Sequence, residues 1–143
     1  MSSEENVELV KAGMEAFNAH DWDRFFGFSD ESIVNYAPDL EEPLKGLEAY
    51  RERFETNVEA FPDQHIETTR VFGDAEWVVL EGVYSGTHEG AFPGPGGEKI
   101  PPTHKRVELP LALVFKIEGG KVTEEHDYYD NLTFMSQLGL APE

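Results

Sequence analysis

The densest run of titratable side chains lies near the C-terminus, where Glu124, Glu125, His126, Asp127, Tyr128, Tyr129 and Asp130 follow one another. The segment from Val122 to Asp130 reads as a strand, and successive strand side chains point to opposite faces. Glu124, His126, Tyr128 and Asp130 therefore share one face, and Glu125, Asp127 and Tyr129 the other. If Val122 begins the inward face, Asp130 and His126 point into the protein and Asp127 points away. A carboxylate in an apolar enclosure gains proton affinity and can serve as a general acid or base near neutral pH. Asp130 also has a structural use, because an aspartate just before a helix accepts amide hydrogen bonds as an N-cap. Position alone leaves the two roles even.

His88, in Gly86-Thr87-His88-Glu89-Gly90, shares a strand face with Val78, Leu80 and Tyr84. It could bond a ligand carbonyl or shuttle a proton. A histidine satisfied by backbone at a strand end is the commoner case. His65 and His104 fall near element boundaries and read as solvated, and His20 fits a helix-ending turn. Most aromatic residues must be core. Tyr36, Tyr50, Tyr84 and Tyr128 stand apart, because a phenol can line an apolar pocket and still donate to a carbonyl or enolate oxygen.

Other chemistries find little support. No HxH or HExxH spacing occurs, so no metal site is expected. The glycine-rich stretch from Gly90 to Thr103 lacks a Gly-Lys-Ser/Thr ending and precedes a strand, so it is no phosphate cradle. The chain has no cysteine, and no serine sits in a Gly-x-Ser-x-Gly elbow.

The elements that must position these residues are legible from periodicity. Ser2-x-x-Glu5 is a capping-box pattern. Val7, Val10, Met14 and Phe17 then recur at helical spacing, which predicts a helix from about Glu4 to Ala19. Asp21 can cap a short second helix carrying Trp22, Phe25 and Phe26. Ile33 to Ala37 reads as a strand stopped by Pro38, and Leu47 to Ala60 as a third helix ended by Phe61-Pro62-Asp63. The period then changes from 3.6 to 2. His65–Phe72, Trp77–His88, Lys105–Ile117 and Val122–Asp130 read as strands, with short turns at Gly73-Asp74 and Glu118-Gly119-Gly120 that demand antiparallel neighbours. Pro110 inside the third of these predicts a bulge or bend. The stretch between Gly90 and Thr103 is too rich in glycine and proline for regular structure. Leu132 to Leu138 predicts a last short helix. With no repeat and no linker, residues 1–143 read as one α+β domain, a bent antiparallel sheet with the N-terminal helices across its concave face. Such a cone encloses one pocket.

The chain has 143 residues with 11 basic and 29 acidic side chains, a formal charge of −18. That is a length for one domain able to form a core without staples. The negative field argues against nucleic acid or an anionic membrane as partner. With no spanning apolar run and no signal-peptide pattern, a soluble, cytoplasmic protein is expected. The charge fits a saline solvent and an ordinary acidic surface equally.

Phe61-Pro62-Asp63, Gly86-Thr87-His88-Glu89-Gly90, Ile100-Pro101-Pro102-Thr103, Gly120-Lys121-Val122-Thr123-Glu124 through Asp130, and Gln137-Leu138-Gly139 occur in the order and rough spacing of one family. The chain resembles the SnoaL-like polyketide cyclases, a branch of the NTF2-like superfamily. The resemblance implies an α+β cone, assembled as a homo-oligomer through the outer sheet face, a dimer first. It implies cyclase or isomerase chemistry on a small apolar carbonyl compound, with no metal or organic cofactor. The family's acid/base, an aspartate late in the last strand, matches Asp130, with Asp127 in its place if the register slips by one. His126, His88 and the four tyrosines would line the substrate site. Two departures concern that lining: Tyr36 stands where many relatives carry histidine, and His126 where they carry tryptophan. The loop is also longer, with Pro93-Gly94-Pro95-Gly96-Gly97 added. A non-catalytic small-molecule-binding module and an epoxide-hydrolase-like enzyme are the alternatives, the latter calling for a pair of inward carboxylates.

Overall fold

The computed structural model describes residues 2–94 and 97–140. The chain opens with helix α1, Ser3–Asn18, behind a complete capping box in which the Ser2 hydroxyl accepts the Glu5 amide and the Glu5 carboxylate accepts the Ser2 amide. Val10, Met14 and Phe17 of its predicted stripe are buried. Helix α2, Trp22–Phe26, starts at Asp21, whose carboxylate accepts the Arg24 amide. Strand β1, Ser29–Tyr36, begins four residues before the predicted Ile33. A two-residue strand β2, Leu44–Lys45, leads into helix α3, Leu47–Ala60. Gly46 precedes that helix at φ 96°, a left-handed conformation that suits glycine.

Strands β3, His65–Asp74, and β4, Trp77–Thr87, form a hairpin. The loop that follows is not structureless: Phe92–Pro93 (β5) pairs with Lys99–Ile100 (β6). Residues 95 and 96 of its insert lie outside the described residues. Strands β7, Arg106–Glu118, and β8, Lys121–Tyr128, form a second hairpin, and helix α4, Asn131–Gln137, closes the described chain. The main sheet runs β2-β1-β8-β7-β4-β3. Its pairings are antiparallel except β1 against β8, which is parallel.

Pro110 makes no bulge. It pairs with Val83 in continuous register. The β7–β8 pairing ends at Ala112 and Tyr128, so on that side there is no ladder for a proline to break. The same vacant edge two residues earlier is filled by Gln137, whose amide bonds the Glu108 N–H and C=O, each at 2.8 Å. The irregularities lie between Ser29 and Val34 in β1, between Thr68 and Arg70 in β3 and between Lys116 and Ile117 opposite β8.

The bulge in the β7–β8 pairing reverses a predicted face. Ile117 pairs with Val122, but its neighbour Lys116 pairs with Glu124, so Thr123 is an extra residue in β8. An extra residue shifts the alternation by one from that point on. Val122 is inward as expected, yet Glu125 and Asp127, opposite the core residues Phe115 and Leu113, are inward after it. Glu124 and His126 turn to the outer face.

The core between helices and sheet is built from α1, α2, α3 and the inner sheet face, with Phe17, Phe25, Phe26, Tyr50 and Phe54 in mutual edge or tilted contact. A smaller cluster of Ala60, Phe61, Val107 and Leu138 ties the end of α3 to α4. There the loop after β4 is fastened to the helix end, with the Glu89 and Gly90 amides both donating to the Ala60 carbonyl. A Cβ on Gly90 would collide with the Glu59 carbonyl oxygen. Gly90→Ala is therefore expected to destabilise the protein by about 1–3 kcal/mol, the range for overpacking, measured as a lowered midpoint in chemical denaturation.

Candidate active site

A cavity of about 1070 Å³ lies between the helices and the sheet. Its walls are largely apolar, with Met14, Phe17, Phe25, Phe54, Leu111 and Leu113 among them, and it reaches the surface near Glu41 and the exposed Leu132. Polar side chains interrupt these walls at a few points. The largest group gathers where β8, β1 and α3 meet.

Strand β8 supplies Glu125 and Asp127, two residues apart on the inner face. Strand β1 supplies Asn35, whose Nδ2 donates to Asp127 Oδ2 at 3.1 Å and to the Glu125 carbonyl at 3.2 Å. Helix α3 supplies Tyr50 and Arg53, one turn apart and so on one face. The Tyr50 hydroxyl donates to Glu125 Oε1 at 2.7 Å. Arg53 makes a bidentate pair with Asp39 at 2.8 and 2.9 Å, and the Tyr129 hydroxyl donates to Asp39 at 2.9 Å. Asp127 Oδ1 is buried and has no partner among the described residues.

Electrostatics separate the three acids. Burial raises the proton affinity of Glu125 well above the ordinary value of 4.5, and the adjacent Asp127 charge raises it further, against the opposing Tyr50 hydrogen bond. Burial also raises Asp127, but hydrogen bonds from Glu125 and Asn35 and the charge of Arg53 pull it back. Two neighbouring desolvated carboxyls cannot both ionise readily, so the pair retains a proton between them, with Glu125 the stronger holder of it. Burial would raise Asp39 as well, yet Arg53 and Tyr129 outweigh it and hold that carboxyl below its usual value. Asp39 and Arg53 thus form a fixed ion pair beside a proton-sharing one.

Asp130 does not enter the cavity. It is exposed, and its carboxylate caps α4, accepting the Leu132 and Thr133 amides at 3.0 and 3.2 Å and the Thr133 hydroxyl at 2.9 Å. The extra residue at Thr123 sends the Asp130 face outward. His126 goes with it, bonded to Glu124 at 3.1 Å and stacked on Tyr36 at 4.3 Å between centroids. Tyr36 and Tyr128 are exposed on the same outer face. His88 is buried but outside the cavity lining, packed beside Phe61 and Phe92, and its Nδ1 accepts the Thr103 amide at 3.1 Å. Burial keeps it below its ordinary proton affinity. Of the six predicted binding residues, Tyr50 and Tyr84 are the two that reach the site, Tyr50 through its bond to Glu125 and Tyr84 as part of the cavity lining.

Glu125, Asn35, Arg53, Asp39 and Tyr129 were not singled out by sequence. Glu125, Asp127 and Tyr129 shared a strand face there, so a bulge signal in β8 would have found them. The other three come from separate elements and have no local signature. Among the described residues no cluster of three or more His, Asp or Glu side chains could hold a metal ion.

The comparisons with known proteins agree with this architecture. A comparison with curated proteins finds no match. The solved structure of AclR from Streptomyces galilaeus, provisionally described as a hydroxylase, superposes with a TM-score of 0.83 at 25% identity, covering 99% of this chain and 85% of that one. A provisionally assigned SnoaL-like polyketide cyclase from Jannaschia sp. CCS1 gives 0.85 at 22% identity, covering 98% of this chain and 95% of that one. A Catenulispora acidiphila protein described as having a ketosteroid isomerase-like fold gives 0.74 at 20% identity, covering 93% of each chain. The mixed α+β, NTF2-like fold is thereby established. Residues 7–138 match the model of the SnoaL-like polyketide cyclases, so the chain belongs to that family.

Proposed function

We propose that the protein is a cyclase or isomerase that moves a proton at a carbon next to a carbonyl, using Asp127 as the base and no cofactor. The observation that carries this reading is Asp127 Oδ1, a buried carboxylate oxygen without a partner among the described residues, in a largely apolar-walled cavity. The substrate would be a small, largely apolar carbonyl compound. Asp127 takes the α-proton, the electron pair moves into an enolate, and the enolate carbon either regains a proton elsewhere or closes a ring on a second carbonyl. In ring closure the new alkoxide takes a proton back, so the reaction balances without oxidant or reductant. Glu125, as the proton-holding partner, keeps a second negative charge out of the pair. Tyr50 and Asn35 are positioning residues, fixing the carboxyls through the hydrogen bonds described above. Membership of a polyketide cyclase family supports the same class of chemistry.

A second reading, hydrolysis of an epoxide, is favoured by one specific feature: two inward carboxyls side by side, an arrangement that can activate water. The two readings separate by product. With 2-tetralone in D2O, the wild type is expected to accelerate α-deuterium exchange, followed by NMR. Asp127→Asn should slow that exchange about a hundredfold or more, the usual span for a general base. Asp130→Asn should leave it unchanged. Exchange surviving in Asp127→Asn would remove the proposed base. Opening of styrene oxide to its diol by the wild type, with no ketone exchange, would select the hydrolase instead.

The shared proton also predicts a pH effect on stability. Because Glu125 binds its proton more tightly folded than unfolded, the folded state holds more protons once pH passes 4.5. Its burial therefore costs progressively more stability as pH rises from there toward the raised folded value. Glu125→Gln keeps the shape and the acceptor for Tyr50 but cannot ionise. The variant is expected to lose less stability than the wild type over that rise, measured by urea denaturation at a series of pH values.

A further inference from the structure

We infer that Gln64, together with Tyr84, forms a second polar station of the cavity that binds an acceptor oxygen at the far end of an elongated ligand. Gln64 is 2% exposed and lies in the cavity lining just before β3. Its side-chain oxygen accepts the Tyr84 hydroxyl at 2.9 Å, and its backbone carbonyl bonds His20 Nε2 at 3.0 Å. The residue is held at both ends, yet its amide Nε2 is buried with no partner among the described residues. An unmet buried donor is costly to keep, and the lining residues nearest in chain and register, Phe61, Ile66 and Leu109, carry no acceptor side chain. A ligand carbonyl, ether or hydroxyl oxygen would satisfy it.

The register places this station far from Asp127. Tyr84 pairs with Leu109 on β7, and Asp127 pairs with Leu113, four residues further along the same strand. Two strand spacings and four residue rises put the two backbones about 17 Å apart on a flat sheet. Both side chains reach inward from there, leaving an apolar span between a lone acceptor, Asp127 Oδ1, and a lone donor, Gln64 Nε2. That pattern fits a molecule of two or more fused or linked rings with an oxygen function at each end. The inference rests on the cavity being the substrate site, and it narrows the substrate from any small ketone to an extended, two-ended one.

The test uses a matched pair of probes, 4-acetyl-4′-hydroxybiphenyl and 4-ethyl-4′-hydroxybiphenyl, titrated calorimetrically. Each carries a phenol to donate to Asp127, and only the first has an oxygen for Gln64. The wild type is expected to bind the acetyl compound about tenfold more tightly. Gln64→Leu should abolish that preference, and Tyr84→Phe, which frees the Gln64 side chain while keeping the ring, should reduce it. Asp127→Asn should weaken both probes and leave their ratio intact. Equal wild-type affinities, failure of both probes to bind, or a full preference in Gln64→Leu or Tyr84→Phe would overturn the inference. Because the readout is a binding ratio, its failure is distinct from failure of the catalytic reading: intact ketone exchange without the preference removes only the station, and the preference without exchange removes only the catalysis.

Discussion

Two desolvated carboxyl groups side by side cannot both carry charge at ordinary cost, and that constraint organises one end of the cavity. The pair keeps one proton, for which Glu125 competes the more strongly. At Glu125 burial and the Asp127 charge outweigh the Tyr50 hydrogen bond and the Arg53 charge, whereas at Asp127 the Glu125 and Asn35 hydrogen bonds and Arg53 work against burial. The remaining acid, Asp39, is neutralised by a bidentate guanidinium and takes no share of the proton. The uncompensated negative charge therefore falls on the carboxyl pair, in which Asp127 Oδ1 has no partner among the described residues.

The backbone device behind this arrangement is small. Thr123 adds one residue to β8, and every later side chain on that strand changes face. Without it, the inward positions would be Glu124, His126 and Tyr128, and the cavity would hold an imidazole in place of the carboxyl pair. The parallel neighbour β1 shows a matching irregularity between Ser29 and Val34, beyond which Asn35 pairs with Glu125. The bulge thus sets both the base and the amide that holds it.

Much of the fold was legible in the sequence because its signals are local. The Ser2 and Asp21 caps, the α3 boundaries at Leu47 and Ala60, and the Gly119-Gly120 turn each follow from a few adjacent residues, whereas Gly73 and Asp74 are paired within β3 and the β3–β4 turn falls at Ala75-Glu76 instead. The site was less legible for the converse reason. A period-2 reading carries its phase forward from a chosen origin, so an unmarked extra residue corrupts all that follows. Val122 was placed correctly and Asp130 was not, with Thr123 the cause. Asp130 instead followed the capping rule that its position before α4 also satisfied. Pro110 fails differently: proline forbids a ladder bond only where a partner strand exists, and whether β8 extends that far is a tertiary fact.

The exterior and interior use acidity in opposite ways. A formal charge of −18 is carried chiefly by exposed carboxylates, whose repulsion is softened by solvent and salt. The same residue type inside the cavity is so poorly solvated that one proton is shared between two groups. The external field raises the local proton concentration and opposes further ionisation of the interior, so it reinforces the pair's retention of its proton. Added salt, by screening that field, should act on the exposed acids first and reach the buried pair only weakly. The surface charge and the proposed base are therefore linked through electrostatics, although the one is spread over the exterior and the other lies on the inner face of β8.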